Sequence, residues 1–101
     1  MNITVTGHQF EVTDPIDAYA REKAGKLPHF FPRTSAVEVV ISPRGSHTKD
    51  VELIAHVPGH RPFVAHSRDD DVYAAIDLTE HKLGKQLRRH HDRLVTRRKS
   101  A

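Results

Sequence analysis

The chain has 101 residues, of which 37% are hydrophobic and 29% charged, and this length and composition predict one small globular domain. It contains no cysteine, which excludes disulfide bonds, thiol nucleophiles and thiolate metal sites, and no apolar stretch approaches the length of a bilayer span. The formal net charge is +3. The first residues carry no export signal, so we expect a soluble, cytoplasmic protein.

The first third of the chain predicts a strand followed by a helix. Residues 2–6 alternate apolar and polar side chains, which is typical of a half-buried strand. Further along, Asp14 is the expected N-cap of a helix and Pro15 its first residue. This helix is expected to end near Leu27, because a proline follows.

Three more strands are predicted in the middle of the chain. Residues 35–42 and 50–57 alternate apolar with polar or charged side chains and are rich in β-branched residues. Residues 63–68 follow the turn sequence P-G-H-R-P. The third and fourth strands should therefore form an antiparallel hairpin.

A long second helix is predicted from about Asp70 to about Arg93, with an acidic start that complements the helix dipole. Residues 95–101 are expected to be a short, frayed basic tail. The predicted apolar face of the helix consists of Tyr73, Ile76, Leu83, Leu87 and Leu94.

The element order predicts the fold class. An order of β-α-β-β-β-α gives an α+β domain with a four-stranded sheet, in which the first helix crosses between two parallel strands. Two amphipathic helices and a half-apolar sheet must bury each other, so both helices should pack on one face of the sheet. We expect a single domain over residues 1–94, followed by the tail.

Basic residues are concentrated in the last third of the chain. Residues 1–71 carry 8 Lys and Arg against 10 Asp and Glu, net −2, whereas residues 72–101 carry 8 against 3, net +5. A positive field on one element is the usual footprint of a surface that binds a polyanion, most often nucleic acid. A solvated helix face is the alternative interpretation of the same charges.

The helical repeat places Lys82, Lys85, Arg89 and Arg93 in one sector, roughly opposite the apolar face and with Arg88 beside them. Lysines of the first helix would extend this surface if the two helices pack side by side. The nearby aromatic residues fall on predicted core positions, so we predict contacts to the backbone and shape of folded RNA rather than base stacking. The predicted RNA-binding residues are Lys23, Lys26, Lys82, Lys85, Arg88, Arg89 and Arg93.

Neither a catalytic site nor a metal site is predicted. The serines lack the context of an activated nucleophile, and no glycine-rich phosphate loop precedes a helix. His56 and His66 are expected on neighbouring strands with His60 in their turn, but the surrounding residues do not complete a ligand set. We therefore predict a protein that is not an enzyme and has no metal, cofactor or small-molecule substrate.

Five segments carry a resemblance to a known family. They are I-T-V-T-G (3–7), E-V-T-D (11–14), Y-A-R-E-K-A-G-K-L (19–27), D-V-Y-A-A-I-D (71–77) and K-L-G-K-Q-L-R-R-H (82–90). With these segments the chain resembles the ribosome hibernation-promoting factors, a family that includes ribosome-associated inhibitor A and the sigma-modulation proteins. The resemblance covers residues 2–94, and its length matches the short type, which has no second domain.

The resemblance implies a fold similar to double-stranded-RNA-binding domains. It also implies binding to the small ribosomal subunit in the channel of messenger and transfer RNA, which represses translation in stationary phase or stress. The family's helix-borne contacts to ribosomal RNA correspond here to the basic residues named above. Whether a separate protein joins two ribosomes is left open.

Two other functions stay open at this stage. One is a protein-interaction module that modulates RNA polymerase, and the other is a general binder of structured RNA. A contact made through phosphates should weaken steeply with salt, whereas an apolar contact with a protein should not.

Overall fold

The computed structural model of the protein describes residues 1–100 and the side chains of residues 1–96. Its elements are β1 (Asn2–Gly7), α1 (Asp14–Ala24), a 3-10 helix (Leu27–His29), β2 (Ala36–Arg44), β3 (Thr48–His56), β4 (Phe63–Asp69) and α2 (Val72–Ser100). The predicted order of strands and helices and the α+β class are confirmed.

The four strands form one mixed sheet in the order β1-β2-β3-β4. β1 runs parallel to β2, and α1 provides the crossover between them. β2 with β3 and β3 with β4 pair antiparallel, and Ala55 lies opposite Phe63 next to the predicted hairpin turn. The topology predicted from the sequence is therefore correct.

One face of the sheet forms the core with both helices. Alternate residues of β2 and β3, such as Val39 and Leu53, are buried there, and α1 contributes Ile16 and Ala20. The opposite face carries apolar residues such as Val64, which is exposed. None of the described helices packs on this second face. The described helical residues of the core all lie on the other side of the sheet.

The first turn of α1 is capped by a different residue from the one predicted. Thr13, not Asp14, is the N-cap, and its side chain accepts a hydrogen bond from the backbone N–H of Ile16 at 3.5 Å. Asp14 and Asp17 lie in the first turn instead, where their charges favour the positive end of the helix dipole.

α1 ends at Ala24, three residues before the predicted end at Leu27. Pro28 explains the difference, because it has no N–H to donate to the carbonyl of Ala24 as an α-helix would require. The chain instead forms the 3-10 helix, and Leu27 is fully buried in the core.

α2 begins at Val72 rather than Asp70 because Asp71 acts as its cap, with Oδ1 accepting from the backbone N–H of Tyr73 at 2.9 Å. The predicted end near Arg93 is wrong, since the helix continues to Ser100 without a proline or glycine to stop it. Residues 95–100, predicted as a frayed tail, are helical, and Ala101 lies outside the described residues. None of the described helices combines the length and hydropathy of a membrane span.

The apolar face of α2 differs from the prediction at one position. Ile76, Leu83 and Leu87 are fully buried as predicted, and Leu94 packs partly buried against the core. Tyr73 is 37% exposed, because its ring packs edge-on against Tyr19 of α1 at 5.1 Å rather than under the helix.

Ser67 of β4 provides a test of core packing. Its side chain is buried, with 5% of the residue exposed, and its hydroxyl has no hydrogen-bond partner. An unsatisfied buried hydroxyl costs free energy, so we expect Ser67→Ala to raise the free energy of unfolding by about 1 kcal/mol. Urea denaturation measures this change, with Ser42→Ala on β2 as the control. A loss of stability in Ser67→Ala would mean that the hydroxyl is satisfied in solution.

Candidate nucleic-acid interface

The basic residues of α2 form one cationic surface along the helix. Lys82 and Arg93 lie eleven residues apart, which corresponds to about 16 Å of helix axis. We call the following residues, all exposed, the α2 cation row: Lys82, Lys85, Arg88, Arg89 and Arg93.

Most of the α2 cation row is not neutralised by neighbouring carboxylates. Among the described side chains, no ion pair is found for Lys85, Arg88, Arg89 or Arg93. These charges are therefore available to an external anion, and their regular placement on a rigid helix suits a ligand with repeated negative charges.

The surface between these side chains is shallow. Lys85, Arg88 and Arg89 line an open depression of about 210 Å³, and Arg89 with Arg93 lines a second of about 430 Å³. Asp92 borders both depressions. Open cationic depressions fit a phosphate backbone that lies across the helix better than a small substrate that must be enclosed.

Lys82 forms a hydrogen bond with the neighbouring strand, β4. Its Nζ donates a hydrogen bond to the carbonyl oxygen of His66 in β4 at 3.1 Å. The carbonyl group is uncharged, so this hydrogen bond does not neutralise the positive charge of Lys82. The α2 cation row therefore extends at this point to the edge of β4.

The two lysines predicted on the first helix have different surroundings. Lys23 lies on α1, whereas the placement of Lys26 on this helix is wrong, because α1 ends at Ala24 and Lys26 precedes the 3-10 helix. Lys23 forms an ion pair with Asp77 of α2 at 3.4 Å and lies 5.4 Å from the centroid of the Tyr19 ring. The Tyr19 hydroxyl donates to the same carboxylate oxygen at 2.6 Å. Lys26 is exposed and forms no ion pair among the described side chains. We call Tyr19, Lys23 and Asp77 the α1–α2 clasp.

The clasp changes the expected role of Lys23. Its partner carboxylate compensates its charge, so Lys23 offers less to an external anion than the sequence suggests. The two helices lie side by side, as predicted. Of the two lysines, Lys26, which follows the end of α1, is the one without an ion pair among the described side chains.

Tyr19 in the clasp should show altered titration. The hydrogen bond to Asp77, with burial and the negative charge of Asp77 adding to it, raises the pKa of Tyr19 above its ordinary value of 10.0. The folded state therefore binds this proton more tightly than the unfolded state. The hydrogen bond of the protonated Tyr19 hydroxyl therefore contributes to stability below pH about 10, and this contribution is lost as the pH rises through the folded pKa.

We expect the Tyr19 ring signals to titrate above pH about 10, and Asp77→Asn to bring the transition back toward that value. NMR of the ring resonances measures it, with Asp92→Asn as a control that removes a carboxylate of α2 outside the clasp. An unchanged Tyr19 titration in Asp77→Asn would contradict the hydrogen bond.

The histidines of the sheet do not come together. His56 Nε2 lies 2.5 Å from Glu38 Oε2 on the neighbouring strand, whereas His66 lies opposite Glu52. Within the described residues, no group of three or more His, Cys, Asp or Glu side chains is arranged to hold a metal ion.

A group of rings that packs against the second half of α2 was not predicted as a unit. His60 and Phe63 from the end of the β3–β4 turn meet Phe31 and two residues of α2, His90 and His91. The three segments that carry these rings are 27 to 60 positions apart in the chain, so no local spacing could have indicated their contact.

Comparisons with known proteins agree with this architecture. A sequence profile described as "Sigma 54 modulation protein / S30EA ribosomal protein" matches residues 3–95. A ribosome hibernation promoting factor from Azotobacter vinelandii is 36% identical over 97 residues, covering 96% of this chain and 89% of that protein.

Two solved structures have the same fold. The N-terminal domain of Protein Y from Thermus thermophilus has a TM-score of 0.78 at 31% identity, covering 89% of this chain and 99% of that domain. A ribosomal subunit interface protein from Coxiella burnetii has a TM-score of 0.82 at 23% identity, covering 91% of this chain and 99% of that protein. At 23% identity, the second similarity supports the fold alone.

Proposed function

The chain belongs to the Sigma 54 modulation protein / S30EA ribosomal protein family, and from this premise we propose that it is a ribosome hibernation factor. It binds the small ribosomal subunit in the channel that messenger and transfer RNA otherwise occupy, and it represses translation in stationary phase or stress. The name of the relative from Azotobacter vinelandii supports the hibernation role. The site of action is the cytoplasm, where translating ribosomes are found.

The observation that carries the proposal is the α2 cation row. Its cations are exposed along one rigid helix, and their charge is not compensated. Residues 1–71, in contrast, carry a net negative charge. This arrangement binds phosphates of folded RNA through charge and shape. Lys82, Lys85, Arg88, Arg89 and Arg93 bind the ribosomal RNA backbone in this proposal.

Lys23 and Lys26 have separate roles in the proposal. Lys26 extends the cationic surface to the segment that follows α1, because no described carboxylate pairs with it. Lys23 acts mainly through the α1–α2 clasp, where Asp77 holds its ammonium group. The clasp thereby holds α1 against α2.

The mechanism is steric and electrostatic exclusion, without catalysis. A folded domain that occupies the channel prevents messenger and transfer RNA from entering it. The cations lower the free energy of the bound state by releasing counterions from the RNA, so the affinity should depend steeply on salt.

Co-sedimentation tests this function. We expect the purified protein to migrate with small ribosomal subunits in a density gradient at 50 mM salt, in stoichiometric amount. With several phosphate contacts, raising the salt to 200 mM should weaken the affinity by roughly 100-fold or more. Adding whole ribosomes shows in the same gradient whether the bound particles are single or paired.

Absence of migration with the subunit at low salt would contradict the proposal. Migration that does not respond to salt would contradict the role of the cations and favour an apolar contact with a protein. Binding to isolated RNA polymerase in place of the subunit would support the alternative of a polymerase-modulating module.

A further inference from the structure

The outer edge of β4 is not paired with any strand of the described chain. The Ser35 N–H donates to the His56 carbonyl, so the even-numbered residues of β3 bond to β2 and the odd-numbered ones bond to β4. By the register of β3 with β4, the backbone N–H and carbonyl groups that point to the free edge belong to Val64, His66 and Arg68. Such an edge is a template for the addition of another strand.

β1 has a free edge of the same kind on the opposite side of the sheet. The Asn2 N–H donates to the Ser35 carbonyl of the β2 side at 3.1 Å. In this parallel pair the even-numbered residues of β1 therefore bond to β2, and the odd-numbered ones direct their backbone groups outward. The outward residues of β1 are Ile3, Val5 and Gly7.

A cation from a helix occupies each of these two edges. Lys82 Nζ of α2 donates to the His66 carbonyl of β4 at 3.1 Å, and Arg21 Nη1 of α1 donates to the Ile3 carbonyl of β1 at 2.9 Å. An added strand would lie about 4.8 Å from the edge strand and would have to displace these charged groups. Charged side chains at a sheet edge oppose strand addition for this reason.

The helices carry opposite charges beside the two edges. On α1, Asp14 and Asp17 lie on the same face as the arginine that binds β1. On α2, Arg89 and Arg93 lie on the same face as the lysine that binds β4. Two copies of the chain would therefore repel each other through like edges, whereas the β1 edge of one copy attracts the β4 edge of another.

We propose that Arg21 and Lys82 keep the free protein monomeric by closing both edges of the sheet, and that without them β1 of one copy adds to β4 of a second copy. β1 and β4 run in the same direction in the sheet, so the added strand pairs parallel and all helices stay on one side. α1 of one copy then covers the α2 cation row of the next. This head-to-tail contact does not close on itself, so it continues into an open chain.

The test removes both donors and keeps most of the aliphatic length of the two side chains. Arg21→Met with Lys82→Met is the edge variant. Arg33→Met with Lys85→Met is the matched control, because these exposed cations form no hydrogen bond or ion pair among the described side chains. Sedimentation equilibrium measures the mean mass as the protein concentration rises.

We expect the edge variant to associate with a Kd of about 0.1 mM, and its mean mass to rise beyond that of a dimer. The unchanged protein and the control variant should keep the mass of one chain. Each single substitution should also leave a monomer, because one cation still closes every head-to-tail contact. Arg21→Lys with Lys82→Arg retains a donor at both edges and should stay monomeric as well.

Hydrogen exchange of the backbone amides locates the contact. In the edge variant, exchange at the outward amides of Val5 and Val64 should slow as the concentration rises, because both amides acquire a partner strand. The amides of Gly45 and Ser46 in the β2–β3 hairpin lie away from both edges and serve as the internal reference. Their exchange should not depend on concentration.

A folded edge variant that stays monomeric at about 1 mM would overturn the proposal. Association that stops at a dimer, or that protects the amides of one edge alone, would also overturn it, since like edges would then be paired. Equal association of the control variant would assign the effect to the added apolar side chains. If circular dichroism shows that the edge variant does not fold, Arg21→Ala with Lys82→Ala is measured against the same outcomes. No ribosome enters these measurements, so they do not depend on the proposed function.

Discussion

Lys82→Glu combined with Arg89→Glu is expected to abolish stoichiometric association with the small ribosomal subunit while the fold survives. Both side chains are exposed members of the α2 cation row and lie seven residues, or about two helical turns, apart on the same face. Each reversal replaces an attraction to phosphate with a repulsion, so the affinity should fall about 100-fold or more. The fold should survive because neither side chain contributes to the core.

The measurement is co-sedimentation at low salt, accompanied by circular dichroism and thermal unfolding of the variant. Arg44→Glu with Arg68→Glu is the matched control, because it makes the same change in net charge on the sheet face away from the helices. Arg68 pairs with Asp50 in an exposed ion pair of little energetic value, so this control should stay folded and bound. Equal losses in the two variants would show that net charge alone governs binding.

Neutralisation gives a finer version of the same test. Lys82→Gln with Arg89→Gln should reduce the slope of log affinity against log salt by about 2, one for each phosphate contact removed. An unchanged slope in a folded variant would mean that these side chains do not contact phosphates, even if the domain still binds the ribosome.

Most of the fold could be predicted because its signals are local. The alternation in β2 and β3 indicates which side chains face the core, and Val39 and Leu53 are buried as that pattern requires. The errors lie where a contact with another segment decides the outcome. Tyr73 has the spacing of a core residue, but its ring meets Tyr19 of α1 and stays partly exposed.

The same distinction applies to the candidate site. The α2 cation row follows from the helical repeat alone, so its exposed placement on one helix could be predicted. The pairing of Lys23 with Asp77 joins residues 54 positions apart in different helices, and no sequence pattern indicates that this lysine is compensated. The contact of Phe31 with His60 and His91 likewise depends on three separate segments meeting, which no local pattern indicates.

Gly7→Ala is expected to cause the largest loss of stability among the predicted single substitutions. β1 ends at Gly7, and the loop that follows turns back through Gln9, which has a φ of 53°. This turn brings the backbone carbonyl of Phe10 onto the position that a Cβ of residue 7 would occupy, and Val12 Cγ2 would lie 3.0 Å away. A backbone oxygen cannot move aside as a flexible side chain can, so the loop between β1 and α1 must shift.

We expect this shift to lower the free energy of unfolding by about 2–3 kcal/mol, near the upper end of the usual cost of overpacking. This loss includes weaker packing of Phe10 and Val12, which lie in the displaced loop and contact the core. Urea denaturation at fixed temperature measures it. Gly45→Ala is the control, because Gly45 has a φ of 71° but open space around its Cβ position, so its cost of about 1 kcal/mol comes from backbone strain alone.

Gly7→Ala also tests whether stability and ribosome binding are separate properties of the domain. The substitution lies in β1, whereas the α2 cation row is borne by a helix that packs mainly on β3 and β4. Under conditions where the variant is fully folded, its salt dependence of subunit binding should therefore match that of the unchanged protein. A reduced slope in the folded variant would mean that the loop between β1 and α1 positions the cationic surface, through α1 and its clasp with α2.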